Sequence, residues 1–125
     1  MLISFILVSC ETDTDPDIQD YQSEYIGTWD CSEKTGMHAP QFYEVSIVAG
    51  ANSNSIIINN LYQAGTAVEA TINGGFNLDI PQQTSENISF IGSGSANANF
   101  GQINLNFTAD DGSAGQDVIE AILVK

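Results

Sequence analysis

The sequence predicts an all-β protein, an eight-stranded antiparallel up-and-down β-barrel, and two observations support this prediction. Short segments with alternating apolar and polar residues recur after residue 25 at the spacing of roughly 8–12 residues that is typical of barrels and sandwiches. The segments between them are short and rich in Gly and Asn, which accept the positive φ angles of tight hairpins. Parallel strands need longer crossovers, so an antiparallel sheet is expected. Closure into a barrel removes exposed edges, and a two-sheet β-sandwich is the alternative.

Eight segments have this strand character, and alternation within them predicts which side chains face inward. The strands are expected at 25–33, 42–49, 55–61, 66–73, 76–81, 88–96, 102–109 and 117–124. Alternation is clearest in the seventh segment, where Ile103, Leu105 and Phe107 share one face and polar residues share the other. The side chains expected to line the interior are Trp29, Tyr43, Val45, Ile47, Phe76, Leu78, Phe90, Ile103, Leu105 and Phe107.

The sixth segment is unusual because it has small residues on both faces from Gly92 to Ala98. Glycine in a strand permits a sharp bend or the close approach of another backbone. Two interpretations stay open: strong barrel curvature, or a wall thinned to make room for a ligand.

The N-terminal region predicts export and lipid anchoring. Residues 2–8 are mostly apolar, Ser9 and Cys10 follow, and residues 11–17 are mostly acidic. The apolar run is too short to span a bilayer and suits a secretion signal. Residues 7–10 resemble the bacterial lipobox, and the resemblance implies cleavage after Ser9 and a lipid on Cys10. The expected organisation is a signal peptide at 1–9, an acidic tether at 10–24 and a barrel at 25–125.

Charge excludes one class of partner. The chain has 16 acidic residues against two lysines, a formal charge of −14, and residues 25–125 account for −8 of it. Such a field repels nucleic acid phosphates, so nucleic acid binding is not expected. The acidic residues after Cys10 also resemble export signals of surface lipoproteins in the Bacteroidetes group. We therefore expect an outer-membrane location, lipid-anchored, on the periplasmic or the cell-surface face.

The residues that carry chemistry form no catalytic or metal-binding pattern, so neither an enzyme nor a cofactor is expected. His38 is the single histidine and lies in a predicted loop. Cys31 shares the predicted inward face with Trp29, so a buried core thiol is expected. Asp110, Asp111 and Asp117 flank a glycine-rich turn and suggest at most weak Ca²⁺ binding, since turns use these residue types anyway. Strand alternation places no acid clearly inside the barrel.

One short motif resembles a known family. Gly27-Thr28-Trp29, at the start of the first strand, resembles the Gly-x-Trp signature of lipocalins and avidin-type barrels, in which the tryptophan closes one end of the barrel. The chain has no arginine to pack on that tryptophan, and it has a single tryptophan where a biotin site needs several. Together with the tether, the motif resembles small lipocalin-like lipoproteins of Bacteroidetes, which implies a barrel without naming a ligand.

Two functions follow from the sequence. The first is a lipid-anchored barrel that binds a small apolar ligand at Trp29, Tyr43, Val45, Phe76, Leu78, Phe90 and Leu105. The second is a cell-surface interaction or adhesion accessory module without an internal ligand, which contacts a protein or a glycan through exposed residues such as His38, Phe42 and Tyr62. The barrel interior distinguishes them: an empty apolar pocket of about 300 Å³ favours the ligand, and a filled core favours the module.

Overall fold

The computed structural model describes residues 21–113 and 115–125. The predicted signal peptide, the predicted lipidation site Cys10 and residues 11–20 of the tether lie outside the described residues. The last four residues of the predicted tether and Tyr25 form a short helix, α1 (Tyr21–Tyr25). No helix among the described residues has both the length and the apolar character needed to cross a membrane.

Eight antiparallel strands form a closed barrel in which each strand pairs with its neighbours in sequence. Four residues of the first strand, Asp30–Glu33, pair with the last strand and close the sheet on itself. The predicted up-and-down barrel is therefore confirmed, and the sandwich alternative is wrong. The strands are β1 (Gly27–Glu33), β2 (Gln41–Ala49), β3 (Ser55–Asn59), β4 (Ala67–Asn73), β5 (Asn77–Ser85), β6 (Ile88–Ala96), β7 (Gln102–Asp110) and β8 (Gln116–Val124).

Several boundaries differ from the sequence-based prediction, and two of the differences have a clear local reason. Tyr25, expected in the first strand, is the last residue of α1. The fifth strand continues beyond Pro81 to Ser85, and its register with β6 shifts between Ile80 and Gln83. Proline has no backbone N–H for a sheet hydrogen bond, so an irregularity at this point lets the strand pass Pro81 and resume pairing.

The two ends of the barrel differ in how they are covered. The helix end consists of α1 and the turns at 50–54, 74–76 and 97–101. The loop end consists of the connections at 34–40, 60–66, 86–87 and 111–115, and the second of these contains a 3₁₀ helix, Leu61–Gln63. Both names are used below in this sense.

The hydrophobic core fills the inside of the barrel. Inward side chains from every strand are buried, as the period-two alternation predicts. An eight-stranded barrel has an interior just wide enough for side chains to fill it. The largest fully buried side chains are Trp29, Tyr25, Phe90, Phe107, Ile47, Ile56, Ile58, Leu61, Leu78, Ile80, Ile103 and Leu105.

The small residues of β6 serve close packing against β7. A Cβ atom on Gly92 would lie 2.3 Å from the carbonyl oxygen of Asn106 and 2.7 Å from Cα of Phe107. A Cβ atom on Gly94 would lie 2.7 Å from Cδ1 of Leu105. The space beside both glycines is already occupied, so the structure favours tight strand packing and curvature over a wall thinned for a ligand.

Candidate functional site

Most of the predicted ligand-lining side chains lie inside the barrel and pack against one another. Trp29, Val45, Leu78, Phe90 and Leu105 are each no more than 1% exposed. The ring centroids of Phe90 and Phe107 are 6.2 Å apart. These side chains fill the interior of the barrel, so they form its hydrophobic core.

Phe76 is an exception, and its predicted inward position is wrong. It directly precedes β5 and is 36% exposed at the helix end. There it stacks on Phe100 with ring centroids 5.0 Å apart and an interplanar angle of 17°. Alternation extrapolated back from Leu78 fails because the chain leaves the sheet at Asn77 and turns through two glycines with positive φ.

Trp29 lies beneath α1 with its polar atom satisfied. Its indole Nε1 donates a hydrogen bond to the backbone oxygen of Tyr25 at 2.8 Å. The Nζ atom of Lys125 lies 5.0 Å from the indole centroid and donates to the backbone oxygen of Glu24. A cation therefore covers the tryptophan although the chain has no arginine, a role that the sequence did not assign to Lys125.

Two carboxylates are buried at the loop end, which corrects the expectation that no acid points into the barrel. Glu33 is 1% exposed and Asp117 is 3% exposed. Both continue the inward alternation of their strands, Glu33 after Trp29 and Cys31, and Asp117 before Ile119. Alternation of inward and outward residues therefore predicts both buried positions. Asp117 next to a turn and Glu33 at the end of a strand are also the residue types expected at exposed positions.

Two tyrosines bind these carboxylates and link them across the end of the barrel. Tyr43, half-buried on β2, donates its hydroxyl hydrogen to Oε2 of Glu33 at 2.5 Å and accepts a hydrogen bond from the backbone N–H of Tyr62 at 2.9 Å. The Tyr62 hydroxyl donates to Oδ2 of Asp117 at 2.7 Å. The backbone N–H of Met37 donates to the other oxygen, Oδ1, at 2.8 Å. The network thus ties the loop at 34–40 and the 3₁₀ segment to the barrel.

The Tyr62 side chain covers the aromatic part of the core at the loop end. Its ring contacts Phe90 and Phe107 edge-to-face, with both centroid distances at 6.5 Å, and the His38 ring lies 5.6 Å away on another side. The sequence predicted an exposed loop tyrosine, but Tyr62 is only partly exposed. Its backbone is left-handed, with φ of 66°, as is that of Asn60 with φ of 73°. Such conformations are strained for residues other than glycine and need support from surrounding contacts.

Electrostatics at this network favours the protonated forms of Glu33, Tyr43 and Tyr62. Burial raises the pKa of Glu33 above its ordinary value of 4.5; the Tyr43 hydrogen bond opposes the rise, Asp117 adds to it and His38 opposes it. Burial also raises the pKa of Tyr43, as do the neighbouring Cys31 and Glu33. Burial, followed by the hydrogen bond and charge of Asp117, raises the pKa of Tyr62. Both tyrosines therefore remain hydrogen-bond donors at neutral pH.

Cys31 lies inside the barrel as predicted, with 1% of its surface exposed. Burial raises the pKa of its thiol to about 11, with a smaller contribution from Glu33 and an opposing hydrogen bond with Tyr43. The reactive species of cysteine is the thiolate, so a buried thiol with this pKa is a poor nucleophile.

The turn acids Asp110 and Asp111 do not join Asp117 in the arrangement that the sequence suggested for Ca²⁺. The Asp110 and Asp111 carboxylates accept hydrogen bonds from backbone N–H groups of their own turn, at Gly112 and Ser113. Among the described residues, no group of three or more His, Cys, Asp or Glu side chains is placed to hold a metal ion. The hydrogen bonds of the loop-end network close this end of the barrel.

The outer wall carries a groove along β7 and β8. One shallow pocket of about 440 Å³ lies among Thr35, Ile91, Thr108 and Val118. A second pocket of about 430 Å³ lies beside Lys34 and Ile122. Both pockets are lined by Asn106 and Glu120, so they adjoin along the wall. Ile91 and Val118 are 44% and 64% exposed, which makes the first pocket the more apolar of the two.

Comparison with known proteins supports the fold and adds no activity. A solved structure described as a redesigned beta barrel superposes with a TM-score of 0.56 and 15% identity, covering 85% of this chain and 95% of that chain. No protein-family model matches the chain. No curated protein matches it either. The class that the fold defines is a small, closed eight-stranded β-barrel with both ends covered.

Proposed function

We propose that this protein is an exported, lipid-anchored interaction module, in which the barrel is a rigid scaffold and a protein partner binds the outer surface. The observation that carries the proposal is the packed interior. Most inward apolar side chains are buried at 0–2% exposure along the barrel, α1 covers one end, and the Tyr62 network covers the other. A ligand inside would have to displace this core, whereas a partner outside would not.

Support for the anchor comes from the sequence alone. An apolar segment, Ser9–Cys10 and an acidic tether follow one another in the order used by lipid-anchored exported proteins. The anchor would hold the barrel at the outer membrane through Cys10.

Support for an outer binding surface comes from exposed apolar side chains in the loop-end half of the barrel. Met37, Phe42, Ile91 and Val118 are 51%, 69%, 44% and 64% exposed. Ile91 and Val118 both pair with Thr108 across neighbouring strands, so they flank one position of the groove. An apolar side chain of a partner would fit between them, and Glu120 at the groove favours a basic residue next to it.

The anchor is tested by mass spectrometry of the full chain made in a bacterial host that acylates lipoproteins. We expect a mature chain that begins at Cys10 and carries lipid, and the Cys10→Ser variant should keep its leader and carry none. An unmodified Met1 on the wild-type chain would contradict the anchor.

The binding surface is tested with a photoreactive amino acid placed at Val118 or, as a control on the same barrel, at Asn77, which is exposed at the start of β5. We expect a discrete cross-linked protein in the native membrane for position 118 and none for position 77. Identical patterns at both positions, or cross-links to glycan only, would contradict a protein partner at the groove.

A second candidate, a small apolar ligand in the barrel, rests on one observation: the cover over Phe90 and Phe107 is a single loop side chain, Tyr62, held by two hydrogen bonds. Native mass spectrometry of protein from its own membrane distinguishes the two functions. A bound compound that is lost in Phe90→Trp, which fills the site, and kept in Ile91→Trp would favour the ligand. Protein at the mass of the chain alone favours the interaction module.

A further inference from the structure

The two ends of the barrel carry very different charge. The three turns of the helix end, at 50–54, 74–76 and 97–101, contain no charged residue. Among the residues that the structure describes, the charged side chains of α1 and the chain's last residue are Glu24 and Lys125, which have opposite sign. The loop end carries Lys34, Glu86 and Asp111, and the adjoining strand ends add Asp110 and the buried Glu33 and Asp117. Within the described part of the chain, the helix end is therefore close to neutral and the loop end is negative.

The helix end also exposes apolar and aromatic side chains. Ile26, Val48 and Val124 lie at strand ends there and are 39%, 41% and 46% exposed. Phe76 is 36% exposed and belongs to an aromatic cluster in which its ring centroid lies 5.7 Å from that of Tyr21 and 5.0 Å from that of Phe100. Tyrosine and tryptophan are enriched at the headgroup level of bilayers, and exposed Phe and Leu side chains of surface-bound proteins enter the boundary between headgroups and acyl chains.

The chain enters the barrel at this end. α1 begins at Tyr21, eleven residues after Cys10, and an extended chain of that length spans at most about 40 Å. This length lets the barrel touch the membrane in more than one orientation. Exposed apolar side chains occur at both ends of the barrel, so the charge distribution must decide which surface does so.

Screening by salt makes the two orientations of the barrel on an anionic membrane differ in electrostatic energy. A nine-residue strand such as β8 is roughly 30 Å long, whereas the Debye length at physiological salt is about 8 Å. With the helix end on the membrane, the loop-end carboxylates lie well beyond that length from anionic headgroups. With the loop end on the membrane, they lie within it and are repelled.

We infer that the helix end is the surface that rests on the lipid bilayer, with Phe76 at the level of the headgroups and the loop end facing away. The inference rests on the proposed lipid at Cys10 and adds the orientation of the anchored barrel. It also leaves the groove at Ile91 and Val118 free for a partner.

The test uses the full acylated chain in phosphatidylcholine vesicles containing phosphatidylglycerol, with headgroup-attached quenchers. A fluorophore is placed on Ala98→Cys at the helix end or on Met37→Cys at the loop end; both positions are exposed. Cys31 is 1% exposed and so gives little background. We expect several-fold stronger quenching at position 98. Equal quenching, or stronger quenching at position 37, on vesicle-bound protein would overturn the inference and leave the anchor standing.

A matched pair of variants tests the role of the aromatic side chain. In the Ala98→Cys background, Phe76→Asn should weaken quenching, and Phe42→Asn, at the other end and 69% exposed, should not. Equal effects of the two changes would overturn the assigned role of Phe76. Near-ultraviolet circular dichroism checks that both variants fold. Protein that fails to float with the vesicles lacks the anchor, a result that removes the proposed function and this inference together.

Discussion

At the scale of single residues, the two buried carboxylates distinguish the loop end from the rest of the core. Glu33 and Asp117 lie at inward positions where strands normally place apolar residues. Buried charges are costly unless hydrogen bonds or counter-charges stabilise them. Here tyrosine hydroxyls and a backbone N–H supply the hydrogen bonds. This arrangement stabilises a specific closure of the barrel and makes its stability depend on pH.

Glu33 should make the protein less stable as pH rises from mildly acidic to neutral. Its pKa in the folded protein is raised above the ordinary 4.5, by burial first and by Asp117, against opposing effects of Tyr43 and His38. A raised folded pKa contributes stability that is fully present below about pH 4.5 and is lost as pH rises through the folded pKa. Glu33→Gln keeps an acceptor for Tyr43 and removes the charge. We expect the variant to be more stable than wild type at pH 7.

Urea denaturation of both proteins at pH 4.5 and pH 7 measures this effect. The difference between wild type and Glu33→Gln should be larger at pH 7 than at pH 4.5. Asp30→Asn, a change at an exposed residue of the same strand, serves as the control. A Glu33→Gln protein that loses stability equally at both pH values would show that the carboxylate acts through geometry alone.

Cys31 should resist modification in the folded protein. With 1% exposure and a pKa of about 11, it presents almost no thiolate at neutral pH. In the Cys10→Ser background, we expect a thiol reagent to react slowly in buffer and rapidly in denaturant, by at least about tenfold. Similar rates in both solutions would mean that the barrel opens readily near β1.

At the scale of elements, the close packing of β6 on β7 requires glycine at positions 92 and 94, because no space is left for a Cβ atom. Gly92→Ala would place a methyl group 2.3 Å from a backbone oxygen of β7, and neither strand can move aside without breaking pairs on its other edge. We expect a loss of about 1–3 kcal/mol in the free energy of unfolding. Ser93→Ala, exposed on the same strand, should change it by less than about 0.5 kcal/mol. Equal urea denaturation midpoints for the wild type and Gly92→Ala would contradict the close packing of β6 on β7.

The short helix α1 depends on the barrel for its stability, because five residues are too few for an isolated helix. The Tyr25 hydroxyl donates to the buried backbone oxygen of Gly75 at 2.7 Å and ties α1 to the helix end. Tyr25→Phe leaves that oxygen without its donor. We expect a loss of about 1–2 kcal/mol, measured by urea denaturation. An unchanged midpoint would show that the other contacts of α1, such as the aromatic packing on Phe100, are sufficient to hold the helix.

At the scale of the whole molecule, a packed interior predicts a large response to a cavity. Phe90→Ala removes a fully buried ring and should cost about 3–5 kcal/mol. Ile91→Ala, its exposed neighbour, should cost less than about 1 kcal/mol. Thermal or urea denaturation measures both. A small effect of Phe90→Ala would mean that space already exists beside this ring, and would favour an internal ligand.

Most of the fold could be predicted because the governing signals are local. Alternation and turn residues located all eight strands, and short connections required antiparallel pairing. The predictions for Tyr25 and Phe76 were wrong because both residues lie outside the strands. Alternation predicts the direction of a side chain only within a strand. The candidate site was mostly missed: Glu33 and Asp117 are 84 residues apart and belong to strands that meet only when the barrel closes.

The sequence by itself determined the strand pattern and the inward apolar faces, because both depend on residue type and on a period of two. It also determined the net negative charge and the acidic N-terminal segment, because charge depends on residue type alone. Only the tertiary structure decided whether the barrel is filled, which cation covers Trp29 and which tyrosines reach the buried carboxylates. These contacts join residues that are far apart in the chain. They depend on barrel diameter, strand register and the direction of each loop, which are fixed only when all eight strands pack together.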